Sequence, residues 1–254
     1  MTTPTLLVTV NVHGLGPEAA AAGGGPVFGR LAHGGYAYHQ GLARLLDVLR
    51  EEAAPATFFW PAVEAARLPA LLERCLAEGH EVACHGRAFE DHAALDAEAE
   101  RAALTEARDA LAARCGGAAP LGFRAPTGTL SARTLPLLCE LGFRYDASAL
   151  DDDRPYAADG APGLLALPWS AGLSDATHFR RRLTQDRAEA FLREELDAVL
   201  PVCGYGCLTL HPRADIGLAR EARVPVLRRL LDRARRHHGA AIRRCRDLLE
   251  DDAP

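Results

Sequence analysis

The sequence contains no lysine, since all 29 of its basic residues are arginine. This absence excludes Schiff-base chemistry, a lysine nucleophile and a phosphate-binding loop of the G-x-x-x-x-G-K type. The Gly23-Gly24-Gly25 run is therefore interpreted as a flexible loop and not as a nucleotide site.

Long apolar runs are also lacking. The apolar run at residues 6–10 is too short to span a membrane or to serve as an export signal, and the stretch before it carries no basic residue. The seven cysteines are never spaced C-x-x-C, which argues against a zinc ribbon or a disulfide framework and fits a reducing compartment. We therefore expect a cytoplasmic protein without membrane contact.

The charge balance excludes another class of partner. A net charge of −5 gives no long-range attraction for nucleic acid. The arginine-rich stretch 228–246 alternates with leucine and is interpreted as a solvated helix face. No linker or repeat divides the 254 residues, so we expect one domain over 1–254.

Short apolar runs alternate with stretches of helical periodicity, a pattern typical of βα units and a parallel sheet. Strands are predicted at 6–12, 57–60, 81–84, 122–124, 143–146, 164–167 and 207–211. Helices are predicted at 38–52, 62–78, 95–115, 131–141, 187–199 and 222–237. Two long loops, 14–37 and 148–163, are expected to act as lids.

Polar side chains follow the predicted strands. Because the carboxyl ends of parallel strands meet at one mouth of a barrel, we expect these side chains to converge at the rim of a closed ring of strands. They are Asn11, His13, His85, Phe89, Glu90, Asp91, His92, Arg124, Pro126, Asp146, Trp169 and His211.

Local context separates these candidates. His85 precedes Gly86 and His211 precedes Pro212, residues that end a strand and leave the imidazole in the mouth. His92 could equally begin the next helix. An arginine at a buried strand end needs a carboxylate partner, and Asp146 is the expected partner of Arg124.

Several motifs resemble the polysaccharide deacetylases, the NodB-homology fold of carbohydrate esterase family 4. The resemblance covers nearly the whole chain and implies an α/β fold of the distorted (β/α)7-barrel kind. It rests on the order and spacing of Pro55-Ala56-Thr57-Phe58-Phe59, Gly79-His80-Glu81-Val82-Ala83-Cys84-His85-Gly86, Phe123-Arg124-Ala125-Pro126, Tyr145-Asp146-Ala147-Ser148 and Leu208-Thr209-Leu210-His211-Pro212.

The sequence departs from that family at its usual base and metal ligands. Asn11 matches the base aspartate, His13 the metal aspartate and Phe89 a metal histidine. Asparagine cannot accept a proton and phenylalanine cannot bind a metal. These departures resemble the cofactor-independent allantoinases and cyclic amide hydrolases of the same superfamily, which implies a homo-oligomer.

Together these features predict a hydrolase of non-peptide C–N bonds, acting as an N-deacetylase or as a cyclic amide, imide or ureide hydrolase on a small soluble substrate. His211 is the expected general acid, and Arg124 is expected to hold Asp146 or another carboxylate and to stabilise the developing oxyanion. Expected substrate contacts are Pro126, Trp169, Asp91 and Asp152.

Activation of the water has two open alternatives. His13 and His85 bind a divalent metal such as zinc weakly, with a third ligand from Glu90, Asp91 or His92. Alternatively no metal binds and one histidine is the base. A rival hypothesis is a binding protein that keeps the fold without catalysis.

Overall fold

The computed structural model describes residues 3–251. Its strands are β1 Thr5–Asn11, β2 Thr57–Trp60, β3 Glu81–Cys84, β4 Gly122–Phe123, β5 Tyr145–Asp146, β6 Tyr156–Ala157, β7 Leu165–Ala166, β8 Tyr205–Leu210 and β9 Ala241–Arg243. Its α-helices are α1 Gly16–Ala21, α2 Leu42–Glu51, α3 Ala62–Arg67, α4 Pro69–Ala77, α5 Ala97–Arg114, α6 Thr134–Glu140, α7 Asp175–Arg180, α8 Gln185–Cys203, α9 Val224–Arg236 and α10 Leu248–Asp251.

The strands form one mixed sheet in the order β6-β7-β5-β4-β3-β2-β1-β8, and β9 pairs with the first residues of β1. All pairs are parallel except β6 with β7. The predicted α/β class is confirmed. The expected closed ring is wrong, because no ladder joins β8 to β6 or β7 within residues 3–251; a single bridge, Ser174 with Thr209, lies in that gap.

The two-residue alternation of β1 divides the core between two faces. Leu6, Val8 and Val10 belong to the large cluster that packs against the helices. Leu7 belongs to a smaller cluster formed mainly by strand residues, among them Phe59, Ala83, Tyr145, Ala147 and Cys207. We call the sheet surface that carries this smaller cluster the inner face. By the same alternation, Thr9 and Asn11 lie on the inner face, above Leu7.

The helix predicted at 62–78 is two helices, α3 and α4. The break falls at Leu68, whose φ of −124° and ψ of 52° are not helical. Pro69 follows it, and a residue before proline is disfavoured in the helical region. Short elements such as β6, β9 and α7 show too few residues for a periodic pattern, so the sequence did not predict them.

No helix among residues 3–251 is long and apolar enough to cross a membrane.

Candidate active site

The side chains predicted to converge do so at the carboxyl end of the inner face. His13, His85, Arg124 and His211 are all at most 4% exposed. They follow β1, β3, β4 and β8, and the parallel register brings those strand ends to one edge. A continuous series of hydrogen bonds, which passes through Asn11, joins them.

His13 and His85 form a neutral imidazole pair. The His85 Nδ1 lies 2.6 Å from the carbonyl oxygen of Arg124, which only accepts, so Nδ1 donates. Burial lowers the pKa of His85 to about 3, so its Nε2 is unprotonated. The His13 Nε2 lies 2.8 Å from it and must therefore be the donor. Burial, and then the neighbouring His85, lower the pKa of His13 well below its usual value.

Arg124 contacts neutral groups at every nitrogen. Its Nη1 donates to Thr9 Oγ1 and to Asn11 Oδ1, both at 3.0 Å, and its Nε donates to the carbonyl of Ala147 at 2.8 Å. Its guanidinium also lies 4.2 Å from the centre of the Phe59 ring. Within residues 3–251 no carboxylate comes within ion-pairing distance of it.

The expected Arg124–Asp146 pair is therefore wrong. The Asp146 carboxylate is bound by Ser148 instead, whose hydroxyl donates to Oδ1 at 2.6 Å and whose backbone N–H donates to Oδ2 at 3.2 Å. Burial raises the pKa of Asp146 to about 6. Asp146 faces a neighbouring cavity, together with Asp152.

His211 is held at both ring nitrogens. Its Nδ1 donates to Oδ1 of Asp175 at 2.7 Å, since a carboxylate only accepts. Its Nε2 lies 3.3 Å from Nδ2 of Asn11. Because Arg124 occupies the amide oxygen of Asn11, the amide nitrogen must face His211 and donate to it. His211 Nε2 is thus an acceptor in the resting site.

The residues do not fit a three-ligand metal site. His13 and His85 present two imidazole nitrogens, but Phe89 packs edge-on against His13 at 4.9 Å between ring centres. Glu90 accepts from the backbone N–H groups of Arg87 and Ala88, both at 2.6 Å.

The other expected third ligands also lie elsewhere. His92 is fully buried against Phe123, at 5.3 Å between ring centres. Asp91 caps the turn that follows it by accepting from the backbone N–H of Ala93 at 3.0 Å. In the described part of the chain, the one trio of ligand-type side chains close enough to share an ion is Asp197 of α8 with His237 and His238, which follow α9. The expected third ligand is therefore wrong for Glu90, Asp91 and His92 alike.

A cavity of about 440 Å³ opens onto this edge, and we call it the central cavity. Its walls include Pro126 and Trp169, as predicted, but not Asp91 or Asp152. Its other lining residues are Asn11, His13, Pro17, Phe89, Arg124, Ala125, Thr127, Gly128, Ser148, Ser174, Ala176, Thr177, Arg180 and His211. The volume suits a small molecule.

Three site residues escaped the sequence analysis. Asp175 begins the short helix α7, and Arg180 ends it on the cavity wall. Arg213 follows His211 by two residues and donates at 2.8 Å to the carbonyl of Gly14, beside His13. The one available signal was the pair Ser174-Asp175, a helix-start pattern after an apolar residue.

Comparison with known proteins adds a family context. The model of the family described as polysaccharide deacetylase matches residues 34–145. A peptidoglycan deacetylase from Helicobacter pylori is 32% identical over 127 residues, which are 50% of this chain and 43% of that protein. The chain spans about half the length of the curated relatives it matches.

Two solved structures are similar over nearly the whole chain. One, from Mycobacterium smegmatis and assigned to the polysaccharide deacetylases, is 30% identical with a TM-score of 0.85, covering 98% of this chain and 91% of that one. The other, PuuE allantoinase, is 25% identical with a TM-score of 0.83, covering 97% of this chain and 89% of that one.

Proposed function

Since the chain belongs to the polysaccharide deacetylase family, we propose that it is a hydrolase of non-peptide C–N bonds in a small amide, acting as a deacetylase or as a cyclic amide or ureide hydrolase. One observation carries the proposal. His211 presents an unprotonated Nε2 to the central cavity while Asp175 holds its Nδ1–H. An imidazole oriented by a buried carboxylate is the arrangement of a general base.

His211 serves both proton transfers in this proposal. A water molecule replaces the Asn11 amide as the hydrogen-bond partner of Nε2. Nε2 takes a proton from this water as the water oxygen adds to the acyl carbon, and Asp175 stabilises the imidazolium that forms. The same proton then passes from Nε2 to the amide nitrogen as the C–N bond breaks, leaving an amine and a carboxylic acid, which loses its proton to solvent. The acid role expected for His211 is thus kept, and the missing base is supplied by the same ring.

Arg124 stabilises the negative charge that develops on the acyl oxygen. Its guanidinium lies on the cavity wall, is 3% exposed and has only neutral partners. A buried cation of this kind acts at low dielectric, where such stabilisation is largest. Asn11 fixes the positions of the Arg124 and His211 side chains relative to each other, because its amide group contacts both.

We propose that this reaction needs no tightly bound metal. His13 and His85 would supply two ligands, and a bound divalent ion would polarise the acyl oxygen or a water. Two imidazoles without a third side chain are short of the usual catalytic set. Metal analysis of the purified protein tests this, and about one equivalent of zinc per chain would contradict it.

Hydrolysis is tested with small ureides, imides and N-acetyl sugars. We expect turnover by the wild type, a large loss in His211→Gln, and no loss in His237→Gln, a matched change at an exposed histidine. Turnover that survives in His211→Gln would refute the assignment of the base. Binding without any turnover would favour the non-catalytic protein.

We further propose that the enzyme works in the cytoplasm on a soluble substrate as a homo-oligomer of one-domain chains. All seven cysteines are free, which supports a reducing compartment. Light scattering of the purified protein measures the assembly, and a monomer would refute that part.

A further inference from the structure

The walls of the central cavity carry cations without any carboxylate. Arg124 and Arg180 both line it, and none of its lining residues within 3–251 is Asp or Glu. Two carboxylates close to the site are directed elsewhere, since Asp175 is bound behind His211 and Asp146 is bound by Ser148. A cavity with this balance attracts an anion.

Arg180 has no partner in the described part of the chain. It ends α7, is exposed, and shares its helix face with Thr177, which also lines the cavity. By contrast, Arg213 near the same site pairs with Glu18 and Asp215. Arg180 is also among the groups that lower the pKa of His13, after burial, His85, His211 and Arg213.

Arg124 adds a second, independent observation. A buried guanidinium that meets only neutral groups is costly unless an anion approaches it. The Arg124 guanidinium contacts Asn11, which also contacts His211, so Arg124 is placed to stabilise the acyl oxygen. Arg180, at the outer wall, is then free to hold a second negative group of the same molecule.

We propose that the amide hydrolysed in this cavity carries a carboxylate, and that Arg180 binds this carboxylate. The inference rests on the proposed function, because it names the substrate class of the same site. A planar guanidinium matches a carboxylate with two parallel hydrogen bonds. One accessible arginine also balances a single negative charge, whereas a phosphate dianion would call for more donors.

The test compares two compounds of nearly equal shape, one with a negative charge and one neutral: hydantoin bearing a carboxymethyl group at carbon 5, and the same ring bearing the corresponding primary carboxamide. We expect the wild type to favour the carboxylate about 10- to 100-fold in kcat/KM, the worth of a charge-assisted hydrogen bond. In Arg180→Gln this preference should fall to near one, mainly through a higher KM for the carboxylate.

Arg181→Gln is the matched control, because Arg181 is the next residue, is exposed and does not line the cavity. We expect it to keep the wild-type preference. Equal hydrolysis of both compounds by the wild type, or an unchanged preference in Arg180→Gln, would overturn the inference while leaving the proposed hydrolase standing.

Calorimetric binding of the two compounds separates the remaining outcomes. If neither is hydrolysed but Arg180→Gln weakens binding of the carboxylate alone, the carboxylate site is supported and its link to hydrolysis of this ring is rejected. If neither is hydrolysed and binding shows no dependence on charge, the inference is rejected.

Discussion

Asp175 binds His211 through both of its carboxylate oxygens. Oδ1 accepts from the ring Nδ1 at 2.7 Å, and Oδ2 accepts from the backbone N–H of His211 at 2.9 Å. Oδ2 also accepts from the backbone N–H of Leu218 at 2.9 Å. One fully buried side chain therefore sets the ring tautomer and fixes the loop that carries the ring.

We expect Asp175→Asn to lower kcat by about 10²- to 10⁴-fold while the fold is retained. The amide oxygen can take the place of Oδ2 and keep both backbone hydrogen bonds. The amide N–H₂ then faces Nδ1, so the ring must carry its proton on Nε2 and can no longer accept one from water. Steady-state kinetics and circular dichroism measure the two effects.

Asp232→Asn is the control, because Asp232 is an exposed carboxylate that pairs with Arg236 on the surface. It should keep full activity. Full activity in a folded Asp175→Asn protein would mean that the carboxylate does not set the tautomer that catalysis needs.

The sequence predicted the strand ends well and the contacts between them less well. His13, His85, Arg124 and His211 were predicted to meet because each follows an apolar run, and a parallel sheet brings such ends together. The predicted partner of Arg124, Asp146, was wrong. Asn11 and Asp146 both come at strand ends, and their spacing in the sequence alone cannot show which of them contacts Arg124.

The residues that were missed lie outside periodic segments. Asp175 lies 36 residues before His211, in a helix of 6 residues. Fewer than two turns of helix are too short to show a hydrophobic pattern. The open side of the sheet was missed because it depends on which strands pair across the gap at Ser174 and Thr209, and not on local sequence.

Phe89→His should create a metal site. The Phe89 ring packs edge-on against His13, beside the hydrogen-bonded His13–His85 pair, so a histidine there would add the third imidazole. We expect the variant to bind about one equivalent of Co²⁺ with visible absorption bands, and the wild type to bind far less.

Phe28→His is the control, because Phe28 is 77% exposed and should add no ordered site. Equally tight binding of Co²⁺ by the wild type and by Phe89→His would show that the two-imidazole pair already suffices.

Asp146→Asn should stabilise the protein at neutral and alkaline pH. Burial raises the pKa of Asp146 from 3.8 to about 6, so the folded state holds this proton more tightly than the unfolded chain does. Above pH 6 the fold contains a buried charge that costs up to about 3 kcal/mol. That cost shrinks as the pH falls from 6 towards 3.8 and vanishes only well below pH 3.8, where both states are protonated.

Urea unfolding of wild type and Asp146→Asn measures this difference. The variant should be more stable near pH 8, and most of its advantage should be lost by about pH 4. Asp159→Asn, an exposed change in the loop that follows, should show no such trend. An advantage of Asp146→Asn that grew on acidification would contradict the raised pKa.

Arg213→Met should destabilise the fold and weaken catalysis together. Arg213 joins Glu18 and Asp215 in ion pairs and donates to the carbonyl of Gly14, so it ties the segment after β1 to the segment after β8. Methionine would leave the Glu18 carboxylate, whose side chain is only 10% exposed, without that partner. Removing one partner of a buried ion pair lowers the free energy of unfolding by about 3–5 kcal/mol.

Arg233→Met is the matched control, because the Arg233–Asp197 pair has side chains 32% and 30% exposed. An ion pair as exposed as this one contributes about 0–1 kcal/mol to the free energy of unfolding. Unfolding in urea measures both losses, and kcat/KM at a temperature where both variants are folded measures catalysis. Arg213 donates to the carbonyl of Gly14, which adjoins His13, so losing this hydrogen bond should disturb the site. We therefore expect only Arg213→Met to lower kcat/KM. Equal stability losses in the two variants would show that the Arg213 pairs are no stronger than a surface pair.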